Sequence, residues 1–100
     1  MIGDTALMVA ISGGHREVVE LLLENGADIE KTTKDKITPL ILAVVKGRID
    51  IIKLLLANGV NINKAAANGD TPLMIAIDKD VFLLLLENGA KWADIRGSRT

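Results

Sequence analysis

Thr38-Pro39-Leu40-Ile41-Leu42-Ala43-Val44-Val45-Lys46-Gly47-Arg48-Ile49-Asp50-Ile51-Ile52-Lys53-Leu54-Leu55-Leu56-Ala57-Asn58-Gly59 carries a helix start, a turn and a helix stop in one run. Thr followed by Pro reads as an N-cap and N1 pair. The hydroxyl accepts an orphan backbone N–H, and Pro gives up only an N–H that has no partner there. Asn58-Gly59 after a leucine run reads as a stop, because Gly takes the left-handed conformation that satisfies the last carbonyls. With Gly47 between them, the run predicts two short helices joined by a turn. Leu40, Ala43 and Val44 fall at i, i+3 and i+4 and give the first helix one apolar stripe, and Ile51, Ile52, Leu55 and Leu56 do the same for the second.

The same signals recur on either side. Thr5-Ala6-Leu7, Thr38-Pro39-Leu40 and Thr71-Pro72-Leu73 are evenly spaced along the chain, the mark of a stacked array. Leu21-Leu22-Leu23-Glu24-Asn25-Gly26 precedes Leu54-Leu55-Leu56-Ala57-Asn58-Gly59 by the same interval, whereas Leu84-Leu85-Leu86-Glu87-Asn88-Gly89 arrives three positions early. Repeat 3 has therefore lost three residues, and the gap is placed at Asp78-Lys79-Asp80. A tight turn with Asp80 capping the second helix is expected there. The alternative is one continuous helix from Pro72 to Glu87, which would uncover Val81, Phe82 and Leu83 to Leu86. In repeat 1 the matching stripes are Leu7, Ala10 and Ile11, then Val18, Val19, Leu22 and Leu23. The small Ala10, Ala43 and Ala76 are expected where paired helices approach closely. Asp28 to Ile37 and Asn61 to Asp70 are polar, and with Asn68-Gly69 in the second they predict extended excursions closed by tight turns.

These residues resemble the ankyrin repeat family, which shares the period, the T-P-L start, Gly26-Ala27-Asp28 and the leucine runs. The resemblance covers roughly residues 3 to 91 and implies an all-α-dominated repeat solenoid of about three ankyrin repeats, with projecting β-hairpin fingers and a third repeat shortened between its helices. The chain, residues 1–100, then forms a single ankyrin repeat domain with repeats at about 3–32, 33–65 and 66–95, the first starting inside a finger at Gly3-Asp4-Thr5 and Gly97-Ser98-Arg99-Thr100 opening another. The family's histidine after T-P-L is replaced by Met8, Ile41 and Met74, so layers held by aliphatic contact alone are expected. The family's fingertip glycine is kept at Gly69 and becomes Lys36 in the first finger, where positive φ would be strained. Asn63 resembles the residue that asparaginyl hydroxylases modify in some ankyrin repeats. Trp92 occupies the place of a small apolar residue and is read as an anchor or as cover for the last repeat.

Composition agrees. A chain of 100 residues and 10.7 kDa with 49% apolar and 25% charged residues is a globular domain. Phe82 and Trp92 are its only aromatics, so the core is filled by Leu, Ile, Val and Ala. The absence of cysteine excludes disulfides, thiolate metal sites and a thiol nucleophile. A net charge of −1 gives no bulk field toward nucleic acid or an acidic membrane. The apolar stretch from Leu73 to Leu86 is cut by Asp78-Lys79-Asp80 and falls short of the roughly 20 residues a membrane span needs. No secretory signal is read at Met1-Ile2-Gly3-Asp4, so a cytoplasmic location is expected.

Catalytic groups are sparse. His15 is the sole histidine; it matches the family's Gly-His turn with Gly14 and is expected to bond nearby backbone. Glu17, Glu20 and Glu24 share one solvated helix stripe. Gly13-Gly14 lacks both a preceding strand and a following Gly-Lys-Ser or Gly-Lys-Thr. No enzyme activity, metal site or cofactor is expected.

The family binds proteins on a concave surface of finger tips and first-helix faces. The matching positions are Lys34, Asp35, Ile37, Val45 and Lys46 in repeat 2, and Ala67, Asn68, Asp70, Asp78 and Lys79 in repeat 3. Residues 1–30 carry a formal charge of −5 and residues 31–53 one of +4, so the basic middle repeat suits a protein partner with an acidic segment. The expected function is a non-catalytic protein–protein interaction module, with a spacer in a longer ankyrin scaffold as the alternative. Exposed end repeats would also allow self-association.

Overall fold

The computed structural model describes residues 2–91 and, within them, the side chains of 6–91. They form α1 (Ile2–Gly13), α2 (Arg16–Glu24), α3 (Pro39–Val45), α4 (Ile49–Ala57), α5 (Pro72–Ile75) and α6 (Lys79–Glu87), with no strand among the described residues.

Proline decides where two of these helices begin, because it pushes the preceding residue out of the helical region. Thr38 (φ −89, ψ 164) and Thr71 (φ −87, ψ 165) are accordingly extended. The Thr38 hydroxyl accepts from Ile41 N at 3.0 Å and that of Thr71 from Met74 N at 3.3 Å. Met74, standing where the family has histidine, bonds in the reverse direction: its Sδ accepts from Thr71 N at 3.4 Å. Ala6 imposes no such break after Thr5. The helix runs back through residues 3–5 to Ile2, so the finger expected at Gly3-Asp4-Thr5 is absent, and the Thr5 side chain lies outside the described residues.

The three second helices stop identically. In α2 the Gly26 N–H bonds Leu23 O, the Ala27 N–H bonds Leu22 O, and Asn25 Nδ2 donates to Leu21 O at 2.8 Å. This is the Schellman arrangement with a side-chain bond added. Asn58-Gly59 and Asn88-Gly89 repeat it, with Nδ2 again 2.8 Å from Leu54 O and Leu84 O.

Repeat 3 keeps its turn, as expected, but two details differ. The cap is Asp78, whose Oδ1 accepts from Asp80 N at 2.8 Å and Val81 N at 3.3 Å; Asp80 lies in the first turn of α6. The missing residues come from the end of the first helix, so α5 closes at Ile75, and Ala76 is extended and half-buried outside it. Without the residues that carry α3 through to Gly47, α5 cannot complete a last turn. Asp78 instead stands where Arg48 does, immediately before the second helix.

The fingers are turns without strands. Thr33 N donates to Ile37 O at 3.1 Å and Lys36 N to Thr33 O at 2.9 Å; Ala66, Asp70 and Gly69 repeat both bonds at 2.9 Å. Such a three-residue loop ends on a left-handed residue: Gly69 at φ 89, and Lys36 at φ 61 as expected. Lys36→Gly should therefore raise stability by about 1 kcal/mol, and a urea midpoint equal to or below the parent's would contradict this.

α1 packs on α2 and α3, α3 on α4 and α5, α2 on α4, and α5 on α6. One row of first helices is thus backed by second helices. The predicted stripes fill the core, with Leu7, Ile11, Val19, Leu40, Ala43, Ile51, Ile52 and Leu55 all 0% exposed. Val18 departs from this pattern and is 48% exposed. Trp92 and the finger expected at residues 97–100 lie outside the described residues.

Candidate functional site

Each finger turn holds its own tip. In the first, Thr33 Oγ1 accepts from Ile37 N at 3.1 Å. In the second, Asn68 Oδ1 accepts from Asp70 N and Asn68 Nδ2 donates to Asp70 Oδ2, both at 2.9 Å. A backbone bond then joins the tips, Ala67 N to Asp35 O at 3.0 Å. Lys34, Asp35, Ala67 and Asn68 are thereby brought together with their side chains exposed, and Ile37 and Asp70 are half-buried beneath them.

Val45 and Lys46 sit at the other end of α3 from the finger. Val45 is 63% exposed, and Lys46 is the exposed C-cap. Seven helical residues rise about 10 Å, so the two ends of α3 bound a patch of that length. Lys34, Lys36 and Lys46 form no ion pair among the described residues. Asp78 and Lys79 are exposed but are not the counterparts of Val45 and Lys46, because they open α6 and the Asp78 carboxylate is engaged as its cap.

Sequence reasoning missed an apolar row. Val9, Leu42 and Ile75 occupy the same register position in successive repeats, one on each of the adjacent helices α1, α3 and α5. Val9 is 65% exposed, Leu42 and Ile75 are half-buried, and Ile77 beyond α5 is fully exposed. The repeat period contained this signal, since all three positions are aliphatic although none belongs to the buried stripe.

Polar bonds also join the repeats, so the expectation of aliphatic contact alone does not hold. Arg48 Nη2 donates to Ser12 O at 2.8 Å. Glu30 Oε2 accepts from Asn61 N at 2.6 Å, and Lys64 Nζ reaches Glu30 O at 3.2 Å. Asn63 Oδ1 accepts from Lys91 N at 3.0 Å. The physical reason is that Ser12 O, Glu30 O, Asn61 N and Lys91 N lie in a last helical turn or in loops, where no helix ladder pairs them, and side chains of the neighbouring repeat supply the partners. His15 makes its bonds to backbone through its own main chain, N to Ala10 O and O from Val19 N, and has no side-chain cap bond. Its ring lies over Gly13, where an added Cβ would come within 2.6 Å of Nε2.

Residues 7–95 match a family model described as ankyrin repeats in three copies. Over 36 residues, 36% of this chain, the sequence is 56% identical to the ankyrin repeat and KH domain-containing protein mask of Drosophila melanogaster. The figures are the same for ankyrin repeat domain-containing protein 17 of Homo sapiens. The chain spans about 1% of the length of either relative.

Proposed function

This chain belongs to the ankyrin repeat family, whose members are generally non-catalytic protein-interaction modules, and we propose that it binds another protein across its finger tips and first helices. Lys34, Ile37, Val45 and Lys46 form the centre of this surface, with Asn68 and Asp70 at its edge. The observation that carries the proposal is the aliphatic row Val9, Leu42 and Ile75 on three neighbouring helices, exposed at Val9 and half-buried at Leu42 and Ile75, with the exposed Val45 one turn from Leu42. An apolar strip rimmed by charge is the usual anatomy of a protein interface. Lys34, Lys36 and Lys46, which form no ion pair among the described residues, suit an acidic segment on the partner. No helix among the described residues is long and apolar enough to cross a membrane.

The test starts from affinity capture with the intact chain, identification of the bound protein, and titration of that purified partner. Lys34→Glu with Lys46→Glu should weaken binding by about tenfold and flatten its salt dependence, since attraction between exposed charges is screened by salt. Circular dichroism should be unchanged. If Glu20→Lys with Glu24→Lys on α2 abolishes binding while the lysine substitutions do nothing, the second-helix side is the binding face and the proposal fails.

A further inference from the structure

Repeat 3 begins its first helix with a bond to sulfur. The Met74 Sδ accepts from Thr71 N at 3.4 Å, while the Thr71 hydroxyl accepts from Met74 N at 3.3 Å. This is a reciprocal cap in which a thioether takes the place of the usual Glu or Gln side chain. Thr71 is 9% exposed, so its N–H has little water to turn to once that acceptor is lost. The helix that depends on this cap is the shortest of the described ones: α5 has four residues and ends on the extended Ala76. Ile41, at the same register in repeat 2, has no atom that accepts. Met8, at that register in repeat 1, lies inside α1, which runs unbroken from Ile2, so no N-cap stands three residues before it. With no cysteine in the chain, thioether sulfur is the group that mild peroxide attacks first.

We propose that Met74 is an oxidation site through which a peroxide releases the cap of repeat 3. A sulfur lone pair attacks one peroxide oxygen, and the S–O bond forms as the O–O bond breaks. Sulfur gives up two electrons, and the departing hydroxide takes the proton of the transferred hydroxyl and leaves as water. A thioether has two lone pairs. One is engaged with the Thr71 N–H, so the free one reacts and the new oxygen points away from Thr71. The sulfoxide sulfur carries partial positive charge and accepts poorly, so the Thr71 N–H loses its partner. The new oxygen meanwhile needs water or a donor of its own, and Met74 is half-buried. Both effects draw the side chain outward and unwind α5, displacing Ile75, the last member of the aliphatic row. Methionine sulfoxide reductases reverse the oxidation, so the cap can be reset.

The test treats the intact chain with dilute hydrogen peroxide, locates the added oxygen by peptide mass spectrometry, and follows amide exchange and carbon chemical shifts by NMR. Met74 should take up one oxygen, the Thr71 amide should exchange about fivefold faster, and the shifts of residues 72–75 should move toward coil values. Methionine sulfoxide reductase should reverse both changes. They should persist in Met8→Leu and vanish in Met74→Leu, whose Thr71 amide exchanges at the raised rate before and after treatment. Met74→Gln, whose side-chain oxygen accepts but is inert to peroxide, should keep that amide protected throughout. Oxygen found on Met8 while Met74 stays reduced would overturn the proposal. So would an oxidised Met74 beside a Thr71 amide as protected as before, because the sulfoxide would then have kept the cap.

Discussion

Leu55→Ala should cost about 4 kcal/mol, within the range for truncating a leucine in a core that cannot collapse. Leu55 is 0% exposed in α4, the second helix of the middle repeat. The array offers no spare layer to close over the cavity. A domain of this size has about 5–15 kcal/mol in total, so the substitution removes a large share of the whole. In a solenoid the middle unit also supplies the interface of both neighbours, and unfolding should remain a single transition at a much lower urea midpoint with an unchanged slope. Leu21→Ala is the control. It lies in the same leucine run one repeat earlier, is 58% exposed, and should cost under about 1 kcal/mol. Equal losses for the two would mean that the burial pattern is wrong.

Gly14→Ala should cost about 2 kcal/mol through two effects that can be separated. The residue has φ +75, a conformation that strains any L side chain. Its new Cβ would also stand 3.0 Å from Cζ and Nη1 of Arg48, the guanidinium whose Nη2 holds Ser12 O at 2.8 Å. Gly26→Ala isolates the first effect, since Gly26 has φ +93 and an added Cβ there would meet nothing within 4 Å. A cost of about 1 kcal/mol is expected for it. The second effect should appear as non-additivity: in an Arg48→Ala background, Gly14→Ala should lose roughly half its cost. An unchanged cost in that background would show that the arginine yields freely.

What sequence makes legible is local. Thr38 and Thr71 are identifiable as caps because hydroxyl, proline and helix start are adjacent, and the three Asn-Gly stops because the residues that bond one another lie within six positions. Lys36 is legible by register with Gly69. The three-residue gap of repeat 3 is countable but not placeable, since Asp78 and Asp80 are both competent caps; the length of chain needed to finish α5 decides between them. The burial of Val18 is misjudged because its pattern is that of Ile51, and the difference lies in the neighbouring layer rather than in the helix. Arg48 reaches Ser12 across 36 residues, a distance over which no local pattern operates. At the candidate site, Lys34, Ile37, Val45 and Lys46 follow from register with the family. Val9, Leu42 and Ile75 escape because none belongs to the buried stripe: Val9 stays exposed, and Leu42 and Ile75 are only half-buried.

The helix stops also give the molecule a chemical memory. An asparagine followed by glycine ages when the glycine nitrogen attacks the side-chain amide carbon, closing a succinimide and expelling ammonia. Here each of those nitrogens, in Gly26, Gly59 and Gly89, is committed to a carbonyl of the helix it ends, so the folded chain shields the bonds at which it would decay. Opening a repeat releases the nitrogen. Hydrolysis of the succinimide then gives aspartate or isoaspartate, so the Nδ2 donor to the leucine carbonyl is lost and a negative charge is added near the negative end of a helix. A repeat that has stayed open long enough is thereby marked as having done so, and it closes again less firmly than before.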